Sequence, residues 1–233
     1  MGLIHMQELY NHLKEQYGDT ITNISSTSEN NHFIINDGVL VSLDKLKKDY
    51  KKHKNYEFTS SDALFIKTLD NGKVQIYFFE FKKLDLTSNE DLGMSKYRLQ
   101  ECIKKMNNCN GGCKFIEELN QYGKNLVDKY HLSLRSKPFD SISLLYHVIM
   151  RFYPEMDDYE CRKLLFEADK LFFLVSQTPN NWPPINKNDS NLRNFRGVIS
   201  VLDRLKPYYY TQVFSVNENG FNNWFYKQTN DLI

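Results

Sequence analysis

The sequence predicts an α/β protein in which helices flank a mixed β-sheet. Two apolar strand patterns joined by Asp70-Asn71-Gly72 form a hairpin signal across residues 62–82. The segment Lys170–Ser176 is apolar on both of its faces, as in an interior strand. Residues 6–17 repeat apolar side chains at helical spacing. Together these patterns predict one sheet with helices packed on it.

The predicted elements follow in the order helix, strands, hairpin, helices, strand, helix, strand. A turn at Asp37-Gly38 divides an extended segment, and Pro207 ends the last predicted helix. We expect a single domain over residues 1–233, with a core of about 1–176 and a C-terminal helix and strand extension from 177 to 233. The predicted helices are 6–17, 44–56, 91–107, 114–131, 140–153, 157–168 and 190–205, and the predicted strands are 32–43, 62–69, 73–82, 170–176 and 208–216.

Composition and charge narrow the function classes without selecting one. The 233 residues carry 30 basic and 29 acidic side chains, so the formal net charge of +1 gives no overall attraction to nucleic acid. No apolar run is long enough to cross a bilayer, and the first residues do not resemble a signal peptide. These observations predict a soluble cytoplasmic protein without a membrane partner.

Three of the four cysteines lie close together in the sequence, at Cys102, Cys109 and Cys113, with Cys161 apart. A zinc or iron–sulfur site is the alternative interpretation, but no CxxC pair occurs and the fourth ligand would be distant. Free thiols in a reducing compartment are therefore the favoured interpretation.

The second strand of the predicted hairpin carries charge where its pattern is otherwise apolar. Because side chains alternate between faces, Glu80 and Lys82 continue the row that begins with Val74, Ile76 and Phe78. A carboxylate and an ammonium group in such a row cost free energy unless they pair or bind a ligand. This position is therefore a candidate functional site.

Asp62, on the first strand, supplies a second carboxylate whose position depends on the turn. A two-residue Asn71-Gly72 loop would place Asp62 and Glu80 on opposite faces. A three-residue Asp70-Asn71-Gly72 loop, with Gly72 in the left-handed conformation, would place the two carboxylates directly opposite each other on one face. The metal-site hypothesis requires the second register, because only there do both carboxylates lie on the same face. Two carboxylates so close repel each other unless a divalent cation lies between them.

The run Ser61-Asp62-Ala63-Leu64-Phe65-Ile66, followed by Gln75-Ile76-Tyr77-Phe78-Phe79-Glu80-Phe81-Lys82, resembles the PD-(D/E)XK nuclease superfamily, with Ser61 at the nominal proline. The resemblance covers residues 55–85 closely and implies a restriction-endonuclease-like mixed sheet flanked by helices, with a helical elaboration after the catalytic hairpin. It implies that Asp62, Glu80 and the Phe81 carbonyl bind Mg²⁺ or Mn²⁺. It also implies that Lys82 orients or deprotonates the attacking water and offsets negative charge.

Further candidates are less specific than this hairpin motif. Many members of the superfamily add a glutamate from the first helix, for which Glu8 and Glu15 are equal candidates. The lysine-rich helix 44–56 and the helix after the motif supply nucleic-acid-binding candidates, although solvated helix faces explain them as well. These candidates are Lys47, Lys48, Lys51, Lys96, Tyr97 and Gln100.

The sequence thus predicts a metal-dependent nuclease with nucleic acid as its partner, DNA being favoured over RNA. The principal alternative is a catalytically silent module on the same fold that binds nucleic acid or protein. An unrelated α/β protein with a solvated Glu–Lys pair on its surface is the third possibility. The oligomeric state stays open, with a homodimer as one option.

Overall fold

The computed structural model describes residues 2–26, 32–54, 59–82, 136–177, 205–206 and 209–230. Within them, six strands form one sheet in sequential order, antiparallel from the first to the fourth and parallel from the fourth to the sixth. The predicted α/β class, with a mixed sheet flanked by helices, is confirmed. The strands are β1 (Gly18–Thr20), β2 (Val39–Ser42), β3 (Ala63–Thr68), β4 (Val74–Lys82), β5 (Asp169–Ser176) and β6 (Gln212–Asn217). The helices are α1 (Gly2–Tyr17), α2 (Ile21–Ile24), α3 (Leu43–Lys54), α4 (136–152), α5 (Asp158–Glu167) and α6 (Glu218–Asn230).

The β3–β4 hairpin has the three-residue turn. The Leu69 amide donates to the Lys73 carbonyl at 2.9 Å, and the Gly72 amide donates to the Leu69 carbonyl at 2.8 Å. Gly72 has φ of 80°, which glycine adopts without the steric penalty of a side chain. The turn therefore fixes the register that the metal-site hypothesis requires.

The predicted interior position of β5 is confirmed. This strand lies between β4 and β6 and is parallel to both. Leu171 through Ser176 are all buried, because helices cover both faces of the sheet around them. A capping box at the start of α5, formed by Asp157 and Glu160, sets where the chain enters the helix that leads into β5.

The two faces of the sheet are covered by different helices. On one face Tyr77 and Phe79 contact Trp224 of α6, with ring centroids 4.9 and 5.2 Å apart, and α1 packs beside them through Tyr10. On the other face Phe78 lies 6.0 Å from the ring of Tyr210. Tyr210 is fully buried, and its hydroxyl donates to the Pro138 carbonyl of α4 at 2.7 Å. The face that carries Glu80 is thus the face covered by α4.

Some predicted boundaries were wrong for identifiable reasons. The predicted strand 32–43 is a strand only at Val39–Ser42, because the preceding residues bond to α2 and Leu43 begins α3. The predicted strand 208–216 is shifted to Gln212–Asn217. Helix α6 was not predicted, since its Asn and Gly residues have low helix propensity, and it forms where Phe221 and Phe225 become buried. The predictions for 91–107, 114–131 and most of 190–205, together with Cys102, Cys109 and Cys113, lie outside the described residues.

Replacing Gly72 with alanine tests the turn. Because an alanine at φ of 80° meets the left-handed steric penalty, Gly72→Ala should lower the free energy of unfolding by about 1 kcal/mol. Gly72→Asn should cost less, since asparagine tolerates this conformation. Urea denaturation monitored by tryptophan fluorescence measures both variants. Equal stability of Gly72→Ala and the wild type would contradict the positive φ at this residue.

Candidate active site

The side chain of Glu80 has no surface exposed to solvent. Glu80 lies near the end of β4 that is farther from the hairpin turn. Its side chain lies on the α4-covered face, and two ammonium groups contact it. Lys82 Nζ lies 2.7 Å from Glu80 Oε1. Lys137 Nζ lies 2.6 Å from Oε1 and 2.8 Å from Oε2. The predicted neighbourhood of Glu80 and Lys82 is therefore confirmed, and the structure adds a second lysine.

Asp62 lies across the hairpin from Glu80. The last ladder pair of β3 and β4 is Ala63 with Phe79, so the same register continued by one residue sets Asp62 opposite Glu80. The Asp62 amide donates to the Phe79 carbonyl at 2.9 Å, and the Phe81 amide donates to Asp62 Oδ2 at 2.7 Å. The predicted placement of both carboxylates on one face is confirmed.

Burial, and after it the nearby charge of Glu80, raise the pKa of the Asp62 carboxyl group to about 7. Lys137, the Phe81 amide and Lys82 act in the opposite direction without cancelling this effect. Burial alone would lower the pKa of Lys137, but Glu80 and Asp62 outweigh it and leave that pKa raised. The site therefore favours a protonated lysine and resists a second free negative charge.

Lys137 reaches the site from the first turn described for α4. Its Nζ lies between the carboxylates, 3.4 Å from Asp62 Oδ1 and closer to both oxygens of Glu80. The sequence analysis did not identify Lys137, which is separated from Lys82 by more than fifty positions. A lysine directly before Pro138 carries no motif that would have marked it.

Three contacts anchor this end of α4 beside the hairpin. Ser141 Oγ accepts from the Ser61 amide at 2.8 Å, donates to the Lys137 carbonyl at 2.6 Å and lies 2.9 Å from Ser61 Oγ. The Asp140 carboxylate accepts from the Thr59 amide at 3.0 Å. The buried Tyr210 hydroxyl holds the Pro138 carbonyl. Because these bonds fix the helix backbone, they also fix where the Lys137 side chain begins.

The other predicted site residues are not brought to the carboxylates. Lys47 pairs with Asp44 at 2.6 Å, and Lys48 and Lys51 are exposed on α3. Glu8 and Glu15 are both exposed on α1, so neither is distinguished as an additional ligand. Lys96, Tyr97 and Gln100 lie outside the described residues.

The donor chemistry at Asp62 and Glu80 fits a hard divalent cation, which takes carboxylate and carbonyl oxygens. Two carboxylates face each other across the hairpin, so a cation between them would relieve their mutual repulsion. The Phe81 carbonyl stays a predicted ligand, whereas its amide is engaged with Asp62. No group of three or more His, Cys, Asp or Glu side chains suited to a metal occurs among the described residues.

Removing the carboxyl group of Asp62 should change how stability depends on pH. The folded chain keeps the Asp62 proton up to about pH 7, whereas an unfolded chain releases it near 3.8, so this group lowers the free energy of unfolding as pH rises between those values. Asp62→Asn should therefore be more stable than the wild type at about pH 8, with a difference that shrinks towards pH 4. Urea denaturation across this range measures the effect. Asp70→Asn, which removes an exposed carboxyl group from the same hairpin, controls for the charge lost, and a pH-independent difference for Asp62→Asn would contradict the assignment.

Ser141→Ala should lower the free energy of unfolding by about 1 to 3 kcal/mol, because the buried Ser61 amide loses its acceptor. Ser143→Ala, on an exposed position of the same helix, should change stability by less than about 0.5 kcal/mol. Chemical denaturation of both variants makes the comparison. Equal effects would show that the Ser61–Ser141 contact does not anchor α4.

No helix within the described ranges has the length and apolar character required to cross a membrane. In the comparisons with known proteins, no family model, no curated protein and no solved structure matched this chain.

Proposed function

We propose that this protein is a metal-dependent nuclease of restriction-endonuclease-like fold that hydrolyses phosphodiester bonds, with DNA favoured over RNA. The observation that carries the proposal is the meeting of Asp62 and Glu80 on one face of a hairpin, with Lys82 bonded to Glu80 at 2.7 Å. The order of the elements also supports it, since the hairpin is followed by parallel strands in an open mixed sheet flanked by helices.

In this proposal Asp62 and Glu80 hold Mg²⁺ or Mn²⁺, with the Phe81 carbonyl as a further ligand. When bound, the cation supplies Lewis-acid chemistry at the phosphoryl group. Lys82 orients the attacking water and offsets the negative charge that develops on the phosphoryl oxygens. The 2.7 Å contact between Lys82 Nζ and Glu80 Oε1 supports this electrostatic role, because it sets the ammonium group beside the proposed cation position.

The alternative is a catalytically silent binding module on the same fold. One observation favours it: Lys137 lies between the two carboxylates and, together with Lys82, balances their charge without a metal ion. Under this alternative the charged cluster, formed by Asp62, Glu80, Lys82 and Lys137, joins α4 to the β3–β4 hairpin. The exposed Lys48 and Lys51 would suit either function, because each can contact a phosphate backbone.

Cleavage assays on Asp62→Asn, Glu80→Gln and Lys82→Ala test the nuclease function. Each variant should lose about 100-fold or more of the cleavage rate, because each removes either a cation ligand or a charge that acts on the transition state. The substrates are duplex, single-stranded and branched DNA and RNA, each with Mg²⁺ or Mn²⁺. Lys73→Ala, at the opposite end of β4, is the matched control and should retain activity.

Two results would overturn this assignment in different ways. A wild-type protein that cuts none of these substrates and shows no metal-dependent melting shift would favour the binding module. Variants that cleave at the wild-type rate would show that cleavage depends on other residues. Circular dichroism of each variant verifies that a lost activity is not a lost fold.

A further inference from the structure

The ammonium group of Lys137 occupies the space between the two carboxylates. Lys137 Nζ contacts three carboxylate oxygens, two from Glu80 at 2.6 and 2.8 Å and one from Asp62 at 3.4 Å. A divalent cation shared by Asp62 and Glu80 would have to approach the same oxygens. The ammonium and the cation therefore require the same position.

The charges of the described site already balance. Asp62 and Glu80 contribute two negative charges when ionised, and Lys82 and Lys137 contribute two positive charges. Among the described residues no third acidic ligand joins this group. A divalent cation that entered with both lysines in place would therefore find no net negative charge, in contrast to the surplus that typical cation sites provide.

The two lysines differ in the contacts that each would lose if a cation displaced its ammonium group. Lys82 pairs with Glu80 Oε1 and lies at the end of β4, with 25% of its side chain exposed. Lys137 contacts both carboxylates, and its side chain is 17% exposed. The backbone of Lys137 is held through Ser141, but its long side chain can still turn outwards.

We propose that Lys137 is a built-in competitor for the divalent metal: its ammonium group holds the cation position in the metal-free protein and leaves that position when the metal binds. The inference rests on the proposed metal site at Asp62 and Glu80. It adds that the affinity for metal is set by the cost of displacing one particular lysine. Lys137 thereby stabilises the two carboxylates in the resting protein and weakens metal binding to them.

Titration with Mn²⁺ alone, followed by calorimetry and by thermal melting in the absence of nucleic acid, tests this inference. Lys137→Met should bind Mn²⁺ about tenfold or more tightly than the wild type, because the competing charge is gone. Without metal, the same variant should melt at a lower temperature, since the two carboxylates lose their shared partner. Its melting temperature should then rise more on addition of Mn²⁺ than that of the wild type.

Three further variants separate occupation of the site from a general effect of charge. Lys82→Met removes the same charge next to the same Glu80 but does not vacate the position between the carboxylates, so its gain in affinity should be smaller. Lys137→Arg keeps the charge and should bind Mn²⁺ no more tightly than the wild type. Lys137→Gln removes the charge and keeps a polar end, which provides the test if the methionine variant does not fold.

The outcomes distinguish this inference from the proposed function. Tighter binding by Lys137→Met than by Lys82→Met supports the inference, even if no substrate is cleaved. Equal gains for the two variants, or no gain for Lys137→Met over a wild type that binds Mn²⁺, overturn the inference and leave the nuclease proposal standing. No binding of Mn²⁺ by any of these proteins overturns both.

Discussion

The candidate site depends on one constraint, which is that the carboxylate of Glu80 is completely removed from solvent. An ionised group in such a position is costly unless opposite charges and hydrogen bonds replace its water. Lys82 supplies one contact from the same strand, and Lys137 supplies two from a different element. The position of α4 on the sheet and the charge state of the hairpin are therefore coupled through a single side chain.

The hairpin is the part of the site that could be predicted from the sequence. Alternation along β4 set Glu80 and Lys82 on one face, and Asp70-Asn71-Gly72 offered a turn that brings Asp62 opposite. Both arguments use short-range rules, since strand parity and turn geometry depend on neighbouring residues. The sequence left two registers open, and the hydrogen bond between the Leu69 amide and the Lys73 carbonyl is the feature that distinguishes them.

Lys137 could not be predicted in the same way, because its position depends on long-range packing. In the sequence, residues 83–135 separate β4 from the described part of α4. Only the finished arrangement of Ser61, Ser141 and Tyr210 decides which residue of this helix faces Glu80. Helix α6 escaped prediction for a related reason: its residues favour a helix weakly on their own, and contacts of Trp224 with the sheet supply the missing stabilisation.

The charged cluster stabilises the fold less than apolar side chains in the same positions would be expected to. Buried ion pairs often contribute less than well-packed apolar side chains of similar volume, since the desolvation of each charge offsets the attraction between them. Tyr77, Phe79 and Phe81 show that β4 readily packs against aromatic partners on its other face. Two carboxylates and two lysines at the end of the opposite face therefore require a reason beyond packing. Binding a charged ligand is the reason we propose, because each of these groups can exchange its present partner for part of that ligand.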